Sequence, residues 1–151
     1  MAAGFTILQN NIQLLEQRLV EFTKNLAEEL FEPILEIDLK IPITEVNTQL
    51  SAELTKLKPF GVGNREPVFL TENLGIASMN IVGREKTHLS FRFYAGGMYF
   101  GCIMFNKAEL ASEFKPGDMV DVVYKIKESQ YNGNKKLDLI IEDIRKNKSS
   151  C

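Results

Sequence analysis

The hydrophobic positions follow a helical period in the first part of the chain and alternate in the second. Across 8–30, apolar residues recur at steps of three and four, which predicts a long amphipathic helix that Pro33 ends. We interpret its apolar face as core packing rather than a partner-helix or dimer seam, since burial is the commonest reason for helix amphipathicity. Alternation over 35–41 predicts a half-buried strand, and Thr44 is placed to cap a second helix.

A segment rich in proline and glycine, 59–67, separates the two patterns. It contains two of the five prolines and two glycines. Proline fixes φ and lacks an amide proton, whereas glycine allows positive φ, so this segment neither continues a helix nor lies inside a central strand. Its large apolar residue, Phe60, indicates a turn attached to a core. We interpret the segment as a joint between a helix-strand-helix part and an all-β part.

Alternating apolar and polar positions downstream of the joint predict a set of strands, each with one buried face. The predicted strands cover 68–82, 88–94, 98–105, 119–127 and 137–144, with a short helical turn over 107–114. An Asn-Gly pair between the last two strands favours a tight hairpin, and Gly101 indicates a bulge or a close approach. Five strands with a helical insert are typical of an OB barrel, although an SH3-like barrel or a split sandwich has a compatible strand count. The predicted fold class is α+β, a helix-strand-helix segment followed by a five-stranded OB-type β-barrel.

The composition limits the chemistry that the chain can carry. His88 is the only histidine, which excludes a metal site built on several histidines and leaves a Ser-His-Asp arrangement only if His88 serves alone. Glu36 and Asp38 are interpreted as a solvated strand face, because no third metal ligand is nearby. Two cysteines, no secretory leader and no apolar run of about 20 residues fit a cytoplasmic protein.

The balance of charge shifts mildly toward positive after the joint, a difference that an ordinary solvated surface also shows. Residues 1–58 contain five Lys/Arg against nine Asp/Glu, whereas 59–151 contain thirteen against eleven. OB barrels that bind single strands use the face of their second and third strands and two hairpin loops, with cations for phosphates and flat side chains for bases. The candidate DNA-binding residues are Arg84, Lys86, His88, Arg92, Tyr94, Tyr99, Lys125, Tyr131 and Lys135. They also suit ordinary cross-strand pairs, so a protein-interaction barrel is an equal alternative, and His88 is interpreted as structural rather than as a general base.

Four segments together resemble the C-terminal part of RecJ-type single-strand-specific exonucleases. The most specific is 59–67, which has the family's Pro-Phe-Gly-x-Gly-Asn-x-x-Pro order. The Ala-Ala-Gly-Phe start at 2–5 resembles the end of a block in the family's DHH-associated domain, and 83–89 resembles its Gly…His-Leu element. The Tyr-Asn-Gly turn and the strand that follows it, 131–141, resemble the family's last hairpin.

The resemblance implies a parent enzyme that degrades single-stranded DNA from the 5′ end in DNA repair and recombination, using Mn²⁺ or Mg²⁺ held by an N-terminal DHH domain. None of the DHH motifs occurs in this chain, so we expect a C-terminal fragment without a metal cofactor or nuclease activity. Its expected parts are a partial DHH-associated segment (1–58), a hinge (59–67) and an OB domain that binds nucleic acid (68–147). The expected partners are single-stranded DNA, the missing catalytic domain and other repair proteins, with no membrane.

Two other functions fit the same resemblance. The barrel could be a protein-docking scaffold of a DHH-family phosphoesterase, an interpretation that the apolar start of the chain favours. It could also belong to a relative that acts on RNA or cyclic dinucleotides, since such enzymes share DHH-type domains.

Overall fold

The structure, a computed structural model, describes residues 4–24, 26, 34–131 and 134–147, without the side chains of 130–131 and 134–136. The chain forms two compact units, Met1–Leu35 and Glu36–Cys151. The second unit begins upstream of the proline- and glycine-rich joint. The functional division into 1–58, 59–67 and 68–147 stays a prediction.

The first unit contains helix α1 (Ile12–Lys24), which follows a 3-10 turn at Gln9–Asn11. The predicted helix is confirmed over this range, whereas its predicted continuation to residue 30 and its end at Pro33 lie outside the described residues. No residue of α1 is buried. The predicted core packing of its apolar stripe is therefore wrong for the described part of this helix, where Ile12, Leu19 and Phe22 are 42%, 52% and 64% exposed.

Residues between Glu36 and the joint contribute to the core of the barrel. Strand β1 (Leu39–Lys40) pairs in parallel with the start of the next strand, and Ile41 and Ile43 are buried just after it. The predicted strand over 35–41 is thus two residues long. Its predicted burial is wrong for most apolar positions, because β1 lies outside the closed barrel and its side chains face solvent until Ile41 enters the core.

Helix α2 (Thr48–Thr55) lies between β1 and the joint. Its N-cap is Asn47, whose side-chain oxygen accepts a hydrogen bond from the backbone N–H of Leu50 at 2.9 Å. The predicted cap, Thr44, lies instead in a 3-10 turn at Ile43–Glu45, so that prediction was wrong by one turn. The helix starts later because this turn first buries Ile43, and Asn47 is the next residue that can cap.

Five strands close into a barrel. They are β2 (Phe69–Val82), β3 (His88–Ala95), β4 (Met98–Met104), β5 (Met119–Tyr131) and β6 (Asn134–Lys146). The closed order is β2-β3-β4-β6-β5, because β2 also pairs with β5, and β4 runs parallel to β6. A 3-10 turn at Ala108–Ser112 occupies the predicted helical insert. The predicted five-stranded OB-type barrel is confirmed, with β1 as an additional strand.

The barrel is filled by the inward side chains of its strands. Leu89, Phe91 and Phe93 of β3 are fully buried, and the two phenylalanine rings stack with centroids 5.7 Å apart. The hydroxyl of buried Thr71 donates a hydrogen bond to the backbone carbonyl of Ile41 at 2.7 Å. The oxygen of the same hydroxyl lies 3.0 Å from the hydroxyl of Tyr124. Burial raises the pKa of Tyr124 to about 12, so this phenol is neutral and serves packing and hydrogen bonding.

The 59–67 segment is a turn closed by its own hydrogen bonds. Gly61 and Asn64 exchange two backbone hydrogen bonds, with N···O distances of 2.8 and 3.2 Å. The side-chain amide of Asn64 also donates to two backbone carbonyls, at 2.8 and 2.9 Å. Gly63 takes a φ of 87°, a conformation that favours glycine. Phe60 is half-buried, so the predicted attached turn is confirmed.

An acid-sensitive contact joins the turn before β5 to the end of β6. Asp118 lies 2.9 Å from the ammonium of Lys146 and accepts the backbone N–H of Lys115 at 3.0 Å. The hydrogen bond from Lys146, followed by that from Lys115, holds the pKa of Asp118 below its ordinary value of 3.8. Its contribution to stability is therefore present above pH 3.8 and is lost as the pH falls through the lower folded-state pKa.

We expect Asp118→Asn to be less stable than the wild type at pH 7, and the difference to shrink as the pH falls below 3.8. Urea unfolding of both proteins at pH 7 and at pH 3 measures this. A difference in the free energy of unfolding that stays constant with pH would contradict it.

Candidate nucleic-acid interface

The outer face of β3 and β4 presents aromatic and cationic side chains to solvent. Alternation along β3 turns Arg92 and Tyr94 outward, since the residues between them fill the barrel. On β4, Tyr99 lies directly opposite Tyr94 in the antiparallel register. Tyr94 is 52% exposed and Tyr99 59% exposed, so both rings remain accessible.

Arg92, Tyr94 and Tyr99 form one contact group, which we call the β3–β4 cluster. The two tyrosine rings have centroids 5.1 Å apart and are tilted by 53°. The guanidinium carbon of Arg92 lies 4.9 Å from the centroid of the Tyr99 ring, which is a cation–π distance. The cluster therefore combines a positive charge with exposed aromatic surface, the two elements that single-strand binding requires.

Gly101 leaves the outer surface beside the cluster without a side chain. It pairs with Arg92 in an unbroken β3–β4 register, so the predicted bulge is wrong. A Cβ added at Gly101 would meet no atom within 4 Å, so the predicted close approach is also wrong. The glycine removes a side chain from the outer face, and this leaves open space next to Arg92.

His88 lies at the start of β3 and is held on several sides. Its Nδ1 accepts the backbone N–H of Asn106 at 3.1 Å and lies 3.1 Å from the hydroxyl of Thr87. Because a backbone N–H can only donate, a neutral ring carries its proton on Nε2. The ring also packs edge-on against Phe105, with centroids 5.1 Å apart. These contacts agree with the structural interpretation of His88, and its predicted contact with DNA stays a prediction.

The loop between β2 and β3 carries two exposed cations, Arg84 and Lys86. Gly83 and Lys86 take φ values of 95° and 54°, and the N–H of Lys86 donates to the carbonyl of Gly83 at 3.1 Å, which makes a tight turn. This loop leads directly into β3 and so adds positive charge at one end of the face that carries the cluster.

Of the remaining predicted contacts, Lys125 lies outside the cluster. Lys125 on β5 is half-buried and forms an ion pair with Glu142 at 2.9 Å, which offsets its charge. Tyr131 and Lys135 lie in β5 and β6 beside the last hairpin, and their side chains are outside the described residues. The pairing of Lys125 had no local signal in the sequence, since Glu142 is on another strand.

An apolar depression adjoins the cluster on the outer side of β4 and β6, with a volume of about 330 Å³. We call it the β4–β6 depression. Its outward-facing lining consists of Ser90, Gly101, Ile103, Phe105, Asp138 and Ile140. It was not predicted from the sequence. The available signal was the loss of alternation in the apolar runs 102–105 and 139–141, which put isoleucines on the outer face as well as apolar residues inside.

The described residues do not form a metal site. Within them, no three His, Cys, Asp or Glu side chains lie close enough to hold a metal ion, so they do not fit the Mn²⁺ or Mg²⁺ of the resembled family, and we assign no metal-dependent step to them. No helix in the part of the chain that the structure describes is long and apolar enough to cross a membrane.

Comparison with known proteins agrees with this architecture. The family model of the RecJ OB domain matches residues 37–143. The single-stranded-DNA-specific exonuclease RecJ of Bacillus subtilis (strain 168) is 33% identical over 144 residues, which cover 95% of this chain and 18% of that protein. Crystal structures of RecJ from Thermus thermophilus with Mn²⁺ and with Mg²⁺ give TM-scores of 0.72 and 0.71, at 22% and 23% identity. They cover 97% of this chain and 21% and 22% of those chains.

The chain thus spans about a fifth of the length of these relatives. The matched range, 37–143, starts one residue after the beginning of the second compact unit and includes α2, β1 to β5 and most of β6. The match therefore covers the barrel and the segment that shares its core, and the chain belongs to the RecJ OB domain family.

Proposed function

We propose that this chain binds single-stranded DNA on the outer face of β3 and β4, as the DNA-holding OB domain of a RecJ-type exonuclease. The β3–β4 cluster is the observation that carries the proposal. Exposed aromatic rings offer stacking surfaces for unpaired bases, worth roughly 1–3 kcal/mol per base. The curated relative is described as specific for single-stranded DNA, and its identity to this chain extends over 144 residues.

The exposed tyrosine rings favour binding of a single strand over a duplex. The tyrosine faces can stack only on bases that are not already paired and stacked in a helix. Arg92 supplies positive charge beside the Tyr99 ring, and Arg84 and Lys86 add charge for phosphate groups at the other end of the same face. In this proposal the chain holds and orients the strand, whereas metal binding and hydrolysis belong to a catalytic domain with which it works. Contacts with other repair proteins are part of the same proposal.

Replacing Arg92 with alanine tests the electrostatic part. We expect weaker binding of a labelled single-stranded oligonucleotide, and a salt dependence of log K that is shallower by about 0.7, because one phosphate group is no longer neutralised. Fluorescence anisotropy across a salt series measures both, with a duplex of the same sequence for comparison.

The matched control is Arg65→Ala in the 59–67 turn. It removes an exposed arginine that forms an ion pair with Glu36 at 2.6 Å. This variant should bind like the wild type. Failure of the wild type to bind single strands at low salt would contradict the proposed function, and equal losses in both variants would contradict the location on β3 and β4.

A protein-docking scaffold is the second candidate, and exposed apolar side chains in the second unit favour it. Ile37, Leu39, Leu57 and Val62 are all exposed. Such residues would suit a surface that another protein covers. Light scattering of the chain distinguishes this candidate from single-stranded DNA binding. Competition between DNA and RNA oligonucleotides distinguishes the RNA-acting alternative.

A further inference from the structure

We infer that the β4–β6 depression receives one base of the bound strand and prefers bases that carry an exocyclic amino group. This inference rests on the proposed function, because it concerns a strand already held on the outer face of β3 and β4. It adds a preference for particular bases to a surface whose cluster alone would stack on any base.

The position of the depression connects it to the cluster. Along β4, Tyr99, Gly101 and Ile103 are successive outward positions, so Ile103 lies roughly 13 Å from Tyr99 at ~3.3 Å per residue. Ile103 pairs with Ser90 on one side and with Ile140 on the other, and these three residues form a row across three strands. A strand that stacks on Tyr99 and continues along β4 therefore reaches the depression next.

The shape and lining suit a base rather than a phosphate. The volume of about 330 Å³ lies at the lower end of the roughly 300–1,000 Å³ found for small-molecule sites. Ile103 and Ile140 provide apolar surface for a flat ring, and the missing side chain at Gly101 leaves the entrance from the cluster open. Asp138 lines the same space, and none of the six outward-facing residues of the lining is a cation that would attract a phosphate.

Asp138 also determines which bases fit. A carboxylate only accepts hydrogen bonds, and cytosine, adenine and guanine each present an amino group that donates. Thymine has no amino group, and its one donor, the ring N3–H, lies between two carbonyl oxygens that a carboxylate repels, so thymine makes the weaker contact. A carboxylate has about four acceptor positions, so a base can be added to the interactions that Asp138 makes within the protein. The hydroxyl of Ser90, which can donate or accept, lies in the same lining.

The test compares oligo(dC) with oligo(dT) of equal length by fluorescence anisotropy, on the wild type and two variants. Asp138→Asn replaces half of the acceptor capacity with a donor and leaves the shape unchanged. Gly101→Val fills the entrance, and the β-branched side chain suits a strand at a position where an added Cβ meets nothing within 4 Å. Ala77→Val puts the same side chain on β2 outside the depression, at the exposed residue where the β2–β3 register shifts, and is the control.

We expect the wild type to bind oligo(dC) about 5- to 150-fold more tightly than oligo(dT), in line with roughly 1–3 kcal/mol for a good base contact. Asp138→Asn should reduce this ratio at least fivefold, Gly101→Val should reduce both the ratio and the affinity, and Ala77→Val should change neither. If single strands bind and Arg92→Ala weakens them, but Asp138→Asn leaves the ratio unchanged, the inference is overturned while the proposed function stands. If the wild type binds no single strand, the proposed function itself fails.

Discussion

Replacing Phe93 with alanine is expected to lower the free energy of unfolding by about 3–5 kcal/mol. The side chain is completely buried, and its ring stacks on that of Phe91 at 5.7 Å inside the barrel. Alanine would lose the transfer free energy of the ring and would leave a cavity that the closed strands cannot collapse to fill. Urea unfolding followed by circular dichroism measures the change.

The control for Phe93→Ala is Phe22→Ala on α1, where the ring is 64% exposed. That change should stay within about 0.5 kcal/mol, as is usual for surface positions. A loss below about 1.5 kcal/mol for Phe93→Ala would indicate that the barrel adjusts around the cavity, contrary to the close packing of β3.

The double variant Tyr94→Ala/Tyr99→Ala is expected to abolish most single-strand binding. Each ring should account for about 1–3 kcal/mol of stacking, and removal of Tyr99 also takes away the ring over which Arg92 lies. Because both tyrosines are exposed, the stability of the barrel should change little. Anisotropy at low salt measures affinity, and thermal unfolding checks the fold.

The conservative control is Tyr94→Phe/Tyr99→Phe, which keeps both aromatic faces and removes only the hydroxyl groups. It should bind nearly as well as the wild type, since stacking needs the ring. If the phenylalanine pair loses as much affinity as the alanine pair, the hydroxyls rather than the ring faces would be the binding groups, and the stacking argument would be wrong.

The barrel could be predicted because its signals are local. Alternation along β3 places Phe91 and Phe93 inside and Arg92 and Tyr94 outside. Because successive side chains point to opposite faces, assigning one face of the strand also assigns the other. The order of turns and the helical insert then restrict how five such strands connect. For the same reason the exposure of the β3 part of the cluster could be predicted from the chain alone.

Other features depended on neighbours that are distant in sequence. The charge of Lys125 is offset by Glu142 on the adjacent strand, and only the β5–β6 register brings the two together. The residues over 35–41 alternate between apolar and polar, but β1 lies outside the closed barrel, so most of their apolar side chains are exposed. The β4–β6 depression forms because Ile103 lies beside Ile140 on a parallel strand. In the sequence, these two residues are separated by the 3-10 turn and the whole of β5.

The shared core of the second unit sets the shortest piece of this chain that should fold independently. Ile41 and Ile43 cover one part of the barrel wall, and the carbonyl of Ile41 accepts the hydroxyl of Thr71, which in turn lies against Tyr124. A truncation at the 59–67 turn would uncover that wall and remove the carbonyl to which the buried hydroxyl of Thr71 donates. Excised or grafted versions of the barrel should therefore begin no later than Glu36, and shorter ones should melt early or aggregate.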